Sequence, residues 1–138
     1  MEAELPRERG CTALARRLVE QQFEGALDGH TLEDLKLVVS ELVDNAYVHG
    51  KGQIHLSLGR HANTVRVEVS DEGQNATIKI RRLGVRGGGH GLRLVDHLCA
   101  AWGALADPTR VWCEFSVAAE VRHNPSSALN GAPEPARQ

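Results

Sequence analysis

At 138 residues the chain suits one small domain that buries roughly two-thirds of its unfolded surface. Its formal charge of -2 gives no case for direct nucleic-acid binding, and no apolar run approaches the ~20 residues of a membrane helix. Cys11, Cys99 and Cys113 form no CxxC pair, so neither a disulfide framework nor a zinc ribbon is indicated. Met1–Leu5 and Pro6 lack a signal-peptide core. The expected compartment is cytoplasmic.

In chain order, a first helix is expected from about Cys11 to Ala26, with Leu14, Leu18 and Val19 on its buried face. A second is expected from Leu32 to Val48. Thr31 is its expected N-cap, with Asp34 as a weaker capping-box partner. Its buried stripe is Leu35, Val38, Val39, Leu42 and Ala46, and Gly50 and Gly52 stop it.

The period then changes to two. Ile54, Leu56 and Leu58 alternate with polar residues, as do Val65, Val67 and Val69. These are half-buried strands forming an antiparallel pair through Gly59–Asn63. Residues 72–89 read as a long polar loop carrying Arg81, Arg82 and Arg86, functional or mobile by its length. A third helix follows, with Leu92, Val95, Leu98 and Trp102 on one face. Two strands close the domain, Ala104–Ala106 and the alternating Val111, Cys113, Phe115 and Val117, with Asp107-Pro108 between them. Trp112 alternates outward, either covered by the N-terminal segment or a helix or presented to a partner.

The expected organisation is a domain over residues 1–119 and a disordered tail over 120–138. The fold class is α+β: a two-layer sandwich whose mainly antiparallel mixed sheet is covered on one face by about three helices.

Three clusters carry the chemistry. Glu41 and Asn45 lie one turn apart on the shoulder of the second helix's buried stripe. There they either line a cleft or sit as an ordinary polar flank. The Asn45 carbonyl suits Mg²⁺ that already carries phosphate oxygens, and Glu41 can accept a proton from a hydroxyl or water. Asp71 ends a strand and Gly73 follows it. An ionised Asp accepts hydrogen bonds only, as from adenine's exocyclic amine; the plain alternative is an Asp-x-Gly turn. Gly87–Gly91 open a helix, where free N–H groups favour phosphate. No Lys-Ser/Thr pair follows, so this is not a Walker A loop. The histidines and cysteines have no zinc-ligand spacing.

Read together, these clusters resemble the GHKL (Bergerat-fold) ATPases. They look most like the small bacterial anti-sigma factors that act as serine/threonine-protein kinases. Ser40–Ala46 with His49-Gly50 resembles the N box, Val69–Gly73 the adenine box, Gly87–Val95 the glycine-rich box, and Thr109–Trp112 the last box. The likeness spans roughly residues 5–118. It implies Glu41 as general base and Asn45 as Mg²⁺ ligand. It implies adenine recognition by Asp71 and Gly73, with Thr109 supporting through a water. Gly87, Gly89 and Gly91, with the intervening His90 and then Leu92, would hold the phosphates of ATP, and residues 74–89 would form the lid. Asn75 stands where the adenine box usually has a second glycine, and the family's N-terminal strand is shortened to Met1–Leu5.

The implied partners are a STAS-type anti-sigma factor antagonist, which such kinases phosphorylate, and a sigma factor. Members often form homodimers. The alternative is a regulatory module that binds nucleotide without catalysis. A detached histidine-kinase catalytic domain and a ligand-free α+β domain are further alternatives.

Overall fold

The computed structural model describes residues 1–73, 90–106 and 108–117. Five strands form one sheet: β1 (Glu2–Leu5), β2 (Ile54–His61), β3 (Thr64–Ser70), β4 (Ala101–Ala106) and β5 (Thr109–Ser116). Their spatial order is β1-β2-β3-β5-β4, and all four ladders are antiparallel. The helices are α1 (Cys11–Phe23), α2 (Gly29–His49) and α3 (His90–Leu98).

Period-two patterning decides which sheet face is covered. Leu56, Val69, Val111 and Ala104 lie opposite one another across four strands, and Leu58, Val67, Cys113 and Trp102 form the next row. These rows join the apolar stripes of all three helices in one core. The result is the expected two-layer α+β sandwich. Leu35, Val38, Val39, Leu42 and Ala46 are all buried, as their spacing predicts. Burying each larger side chain contributes about 1.5–3 kcal/mol, so this stripe fixes the rotation of α2 over the sheet. That rotation sets where Glu41 and Asn45 point.

Several boundaries differ from the expectation, each for a local reason. The N-cap of α2 is Asp28, not Thr31. The Asp28 carboxylate accepts from the Thr31 amide (2.8 Å) and the Thr31 hydroxyl (3.0 Å), which starts the helix three residues earlier. Those two bonds also lower the Asp28 pKa. Asp34 instead pairs with His30 on the next turn (3.6 Å). α1 ends at Phe23, and its most buried residues are Cys11, Ala15, Val19 and Phe23, with Leu14 and Leu18 packed at the margin.

Between β2 and β3, Ala62 takes a positive φ of 56°. The turn is therefore tight, and Gly59 stays within the strand. Trp102 belongs to β4, not to the third helix, because α3 ends at Leu98 and β4 begins at Ala101. Its indole still reaches back, donating to Asp96 of α3 at 2.8 Å. Trp112 is outward as expected. The Arg66 guanidinium lies over its ring, 4.7 Å from the centroid. Cys113 is buried, and its contact with the Cys99 thiol, then its burial, push its own thiol pKa up. The expected lid, its arginines, Asp107 and the C-terminal tail lie outside the described residues.

β1, although short, completes one edge of the sheet. The Met1 ammonium donates to the Leu58 carbonyl (2.8 Å), and the Leu58 amide donates to Met1 (2.9 Å). On the outer face His55 sits between two carboxylates of β1. Its Nδ1 faces Glu4 (2.9 Å) and its Nε2 faces Glu2. Both ring nitrogens can donate only in the imidazolium form. The bonds to Glu2 and then Glu4 raise the His55 pKa above its ordinary 6.5. The bond from His55 and then from Ser57 lowers that of Glu2 below its ordinary 4.5.

The signs of these shifts define a pH window. The His55 contribution to stability is fully present below pH 6.5 and is lost as pH rises through its higher folded value. The Glu2 contribution is present above pH 4.5 and is lost as pH falls through its lower folded value. The melting-temperature difference between wild type and His55→Gln should therefore be largest near about pH 5.5 and shrink toward about pH 8.5. A difference that grows with pH would overturn the assignment.

Candidate functional site

The site grows from the C-terminal half of α2. Leu42, Val43 and Ala46 are buried, while Glu41 and Asn45 are half-buried on the helix flank. Asp44 faces away, where the Thr12 hydroxyl of α1 donates to it. The helix thus places Glu41 and Asn45 together, one turn apart.

α2 ends at Gly50, whose amide donates to the Ala46 carbonyl at 2.9 Å. Its φ of -93° is open to any residue. Glycine is required here by space: a Cβ at position 50 would fall on the Asp71 carboxylate and 2.7 Å from the Ala46 carbonyl oxygen. The backbone at the end of α2 therefore presses directly against Asp71 at the end of β3.

Asp71 is buried, only 6 % exposed. Its Oδ1 accepts from the Gly73 amide (2.7 Å) and the Lys51 amide (3.2 Å). Oδ2 lies against Gly50 and takes part in neither of these two bonds. Thr109, also buried, ties the turn from the opposite strand. Its amide (2.9 Å) and hydroxyl (3.1 Å) both donate to the Gly73 carbonyl, and its carbonyl accepts from the Asp71 amide (3.0 Å). A side chain at Gly73 would meet Asp71 Oδ1 at 3.0 Å, so this glycine keeps the carboxylate and the loop backbone in close register. The result is a carboxylate held in one orientation, half of its acceptor capacity already used by backbone amides.

The structure thus brings Asp71, Gly73 and Thr109 together beside the last turn of the helix that carries Glu41 and Asn45. His90, Gly91 and Leu92 form the first turn of α3, which packs against α2. Gly87 and Gly89 lie outside the described residues. Two contributors were not legible as site residues in the sequence: the space-demanding role of Gly50 and the Lys51 amide. Gly50 read as a helix stop and, with His49, as the end of the N box, but neither reading showed that it meets Asp71.

The donor set suits a purine nucleotide with its metal. A buried, backbone-oriented carboxylate matches an exocyclic amine. Among the described residues no group of three or more His, Cys, Asp or Glu could hold a metal ion. A single amide oxygen from Asn45 suits Mg²⁺ that arrives with phosphate oxygens and water filling its shell. No helix among the described residues is long and apolar enough to cross a membrane.

The model of a protein family described as histidine kinase-, DNA gyrase B-, and HSP90-like ATPase matches residues 30–127. The matched span contains Glu41, Asn45, Asp71, Gly73, the glycine cluster and Thr109. No curated protein matches the chain.

Proposed function

The chain belongs to the histidine kinase-, DNA gyrase B- and HSP90-like ATPases, and on that premise we propose that it is an ATP-dependent serine/threonine-protein kinase acting as an anti-sigma regulatory factor. Family membership itself carries ATP binding and an ATP-utilising, kinase-like type of function. The finer reading adds a protein substrate, an antagonist of the STAS type, and a sigma factor bound in alternation with it. Homodimerisation is part of the same reading.

The observation that supports this best is the buried Asp71 carboxylate, oriented by the Lys51 and Gly73 amides and placed beside the helix that bears Glu41 and Asn45. In this reading Asp71 Oδ2 accepts from the adenine amine, with Gly73 leaving room for the base and Thr109 holding the turn. His90, Gly91 and Leu92, at the start of α3, together with Gly87 and Gly89 before it, would offer backbone amides to the phosphates. Asn45 would hold Mg²⁺, which when bound would neutralise charge on the phosphate oxygens. Glu41 accepts the proton from the serine or threonine hydroxyl of the substrate as its oxygen attacks the γ-phosphorus, and the bond from that phosphorus to the bridging oxygen breaks, so that ADP leaves with the electron pair. Most of the rate enhancement then comes from positioning and charge stabilisation, since phosphoryl transfer requires little covalent help from the protein.

The test is incubation with γ-labelled Mg-ATP and a panel of antagonist proteins from the same genome. Label on a serine or threonine of one of them is expected. ATP binding without label on any of them would replace the kinase with a non-catalytic nucleotide-binding module.

A further inference from the structure

Arg7 lies in the segment between β1 and α1, before the span that matches the family model. Its side chain nevertheless reaches the far end of α2. Nη1 donates to the Tyr47 carbonyl at 2.7 Å and Nε donates to the Gly52 carbonyl at 2.7 Å. Tyr47 is in the last turn of α2, where carbonyls lack helical partners and a cation is favoured. Gly52 is in the left-handed region, with φ 70°. One planar guanidinium thus clamps both ends of the segment 48–51.

That segment is the one that meets Asp71. The Lys51 amide donates to Asp71 Oδ1, the Lys51 carbonyl accepts from the Glu72 amide at 2.8 Å, and Gly50 presses on the carboxylate. The clamp is kept at a cost. The third guanidinium nitrogen, Nη2, is buried without a hydrogen-bond partner among the described residues, an arrangement that normally disfavours burial. A rigid fork satisfies two fixed acceptors at once; a lysine ammonium on a flexible stem does so less well.

We propose that Arg7 is a positioning residue for the base-recognising end of the nucleotide site: by clamping Tyr47 and Gly52 it fixes the 50–52 backbone, and through the Lys51 amide it fixes the Asp71 carboxylate. This rests on the reading of Asp71 as the adenine acceptor. The consequence is selectivity. Losing the clamp should weaken nucleotides that depend on Asp71 while sparing binding through the phosphates.

The experiment compares wild type, Arg7→Ala, Arg7→Lys and Asp71→Asn by calorimetric titration with Mg-ATP and Mg-GTP, and by amide hydrogen exchange at Lys51. Arg7→Ala should lose about tenfold in ATP affinity, the scale of one charge-assisted contact network, with GTP affinity within about twofold of wild type and faster exchange at the Lys51 amide. Arg7→Lys should fall between the two and control for folding. Equal losses for both nucleotides, or an ATP affinity unchanged in both Arg7 variants, would overturn the positioning role. If Asp71→Asn itself leaves ATP affinity unchanged, the base-acceptor reading fails, and the role of Arg7 falls with it.

Discussion

Glu41→Ala should retain ATP binding and lose phosphoryl transfer by about 10²- to 10⁴-fold, the usual worth of a general base. Two features make this a clean test. Glu41 is half-buried on the flank of α2, outside the stripe that seats the helix, and alanine is the best helix former. The helix should therefore hold its place, and Asn45 with it. Glu41 also lies on α2 upstream of the turn that meets Asp71, so the proposed base-binding end is left intact. The assay is single-turnover transfer of labelled phosphate to the antagonist, alongside ATP titration. Transfer within about twofold of wild type would remove Glu41 from the reaction.

Gly50→Ala should cut ATP affinity by about 10- to 100-fold, corresponding to the loss of one hydrogen bond involving a charged group. The added methyl would occupy the place of the Asp71 carboxylate. The backbone angles at position 50 present no obstacle, so the effect isolates a collision. Asp71 cannot yield cheaply, because it is buried and bonded to two amides. Either Asp71 rotates away from the base or the end of α2 lifts. Overpacking of this kind also costs about 1–3 kcal/mol of stability, which a melting curve taken without nucleotide would measure separately. An unchanged ATP affinity would mean that the orientation of Asp71 does not matter to binding.

What the sequence reveals and what it hides follow one physical division. Patterns that repeat along a single element are legible. The valines of β3 and the leucines of β2 face inward as their alternation requires, and the stripe from Leu35 to Ala46 marks the buried side of α2. Because Glu41 and Asn45 ride on that stripe, their place on its flank was legible too. Local competition between two similar signals misled the reading at the start of α2. Asp28 and Thr31 are both good caps, and the carboxylate at Asp28 wins by accepting two bonds from Thr31. Trp102 fits the helical spacing of Leu98 and Val95, but the chain turns into β4 before it, where Trp102 pairs opposite Cys113.

Contacts across long sequence distances leave no periodic trace. Arg7 meets carbonyls 40 and 45 positions away, and the acceptors are backbone atoms that any residue type would supply. Gly50 is legible as a helix stop, but its second role depends on Asp71, a strand and a hairpin later. The Asp71–Gly73 pair was legible as a turn that could meet a ligand. The bonds from Lys51 and Thr109 that orient it come from elements that only the fold brings near.

The most direct test of the central claim is a crystal structure with Mg²⁺ and a non-hydrolysable ATP analogue. The adenine amine is predicted within about 3.2 Å of Asp71 Oδ2, with the Asn45 side-chain oxygen about 2.1 Å from the metal. A base bound away from Asp71, or no nucleotide at saturating concentration, would contradict it.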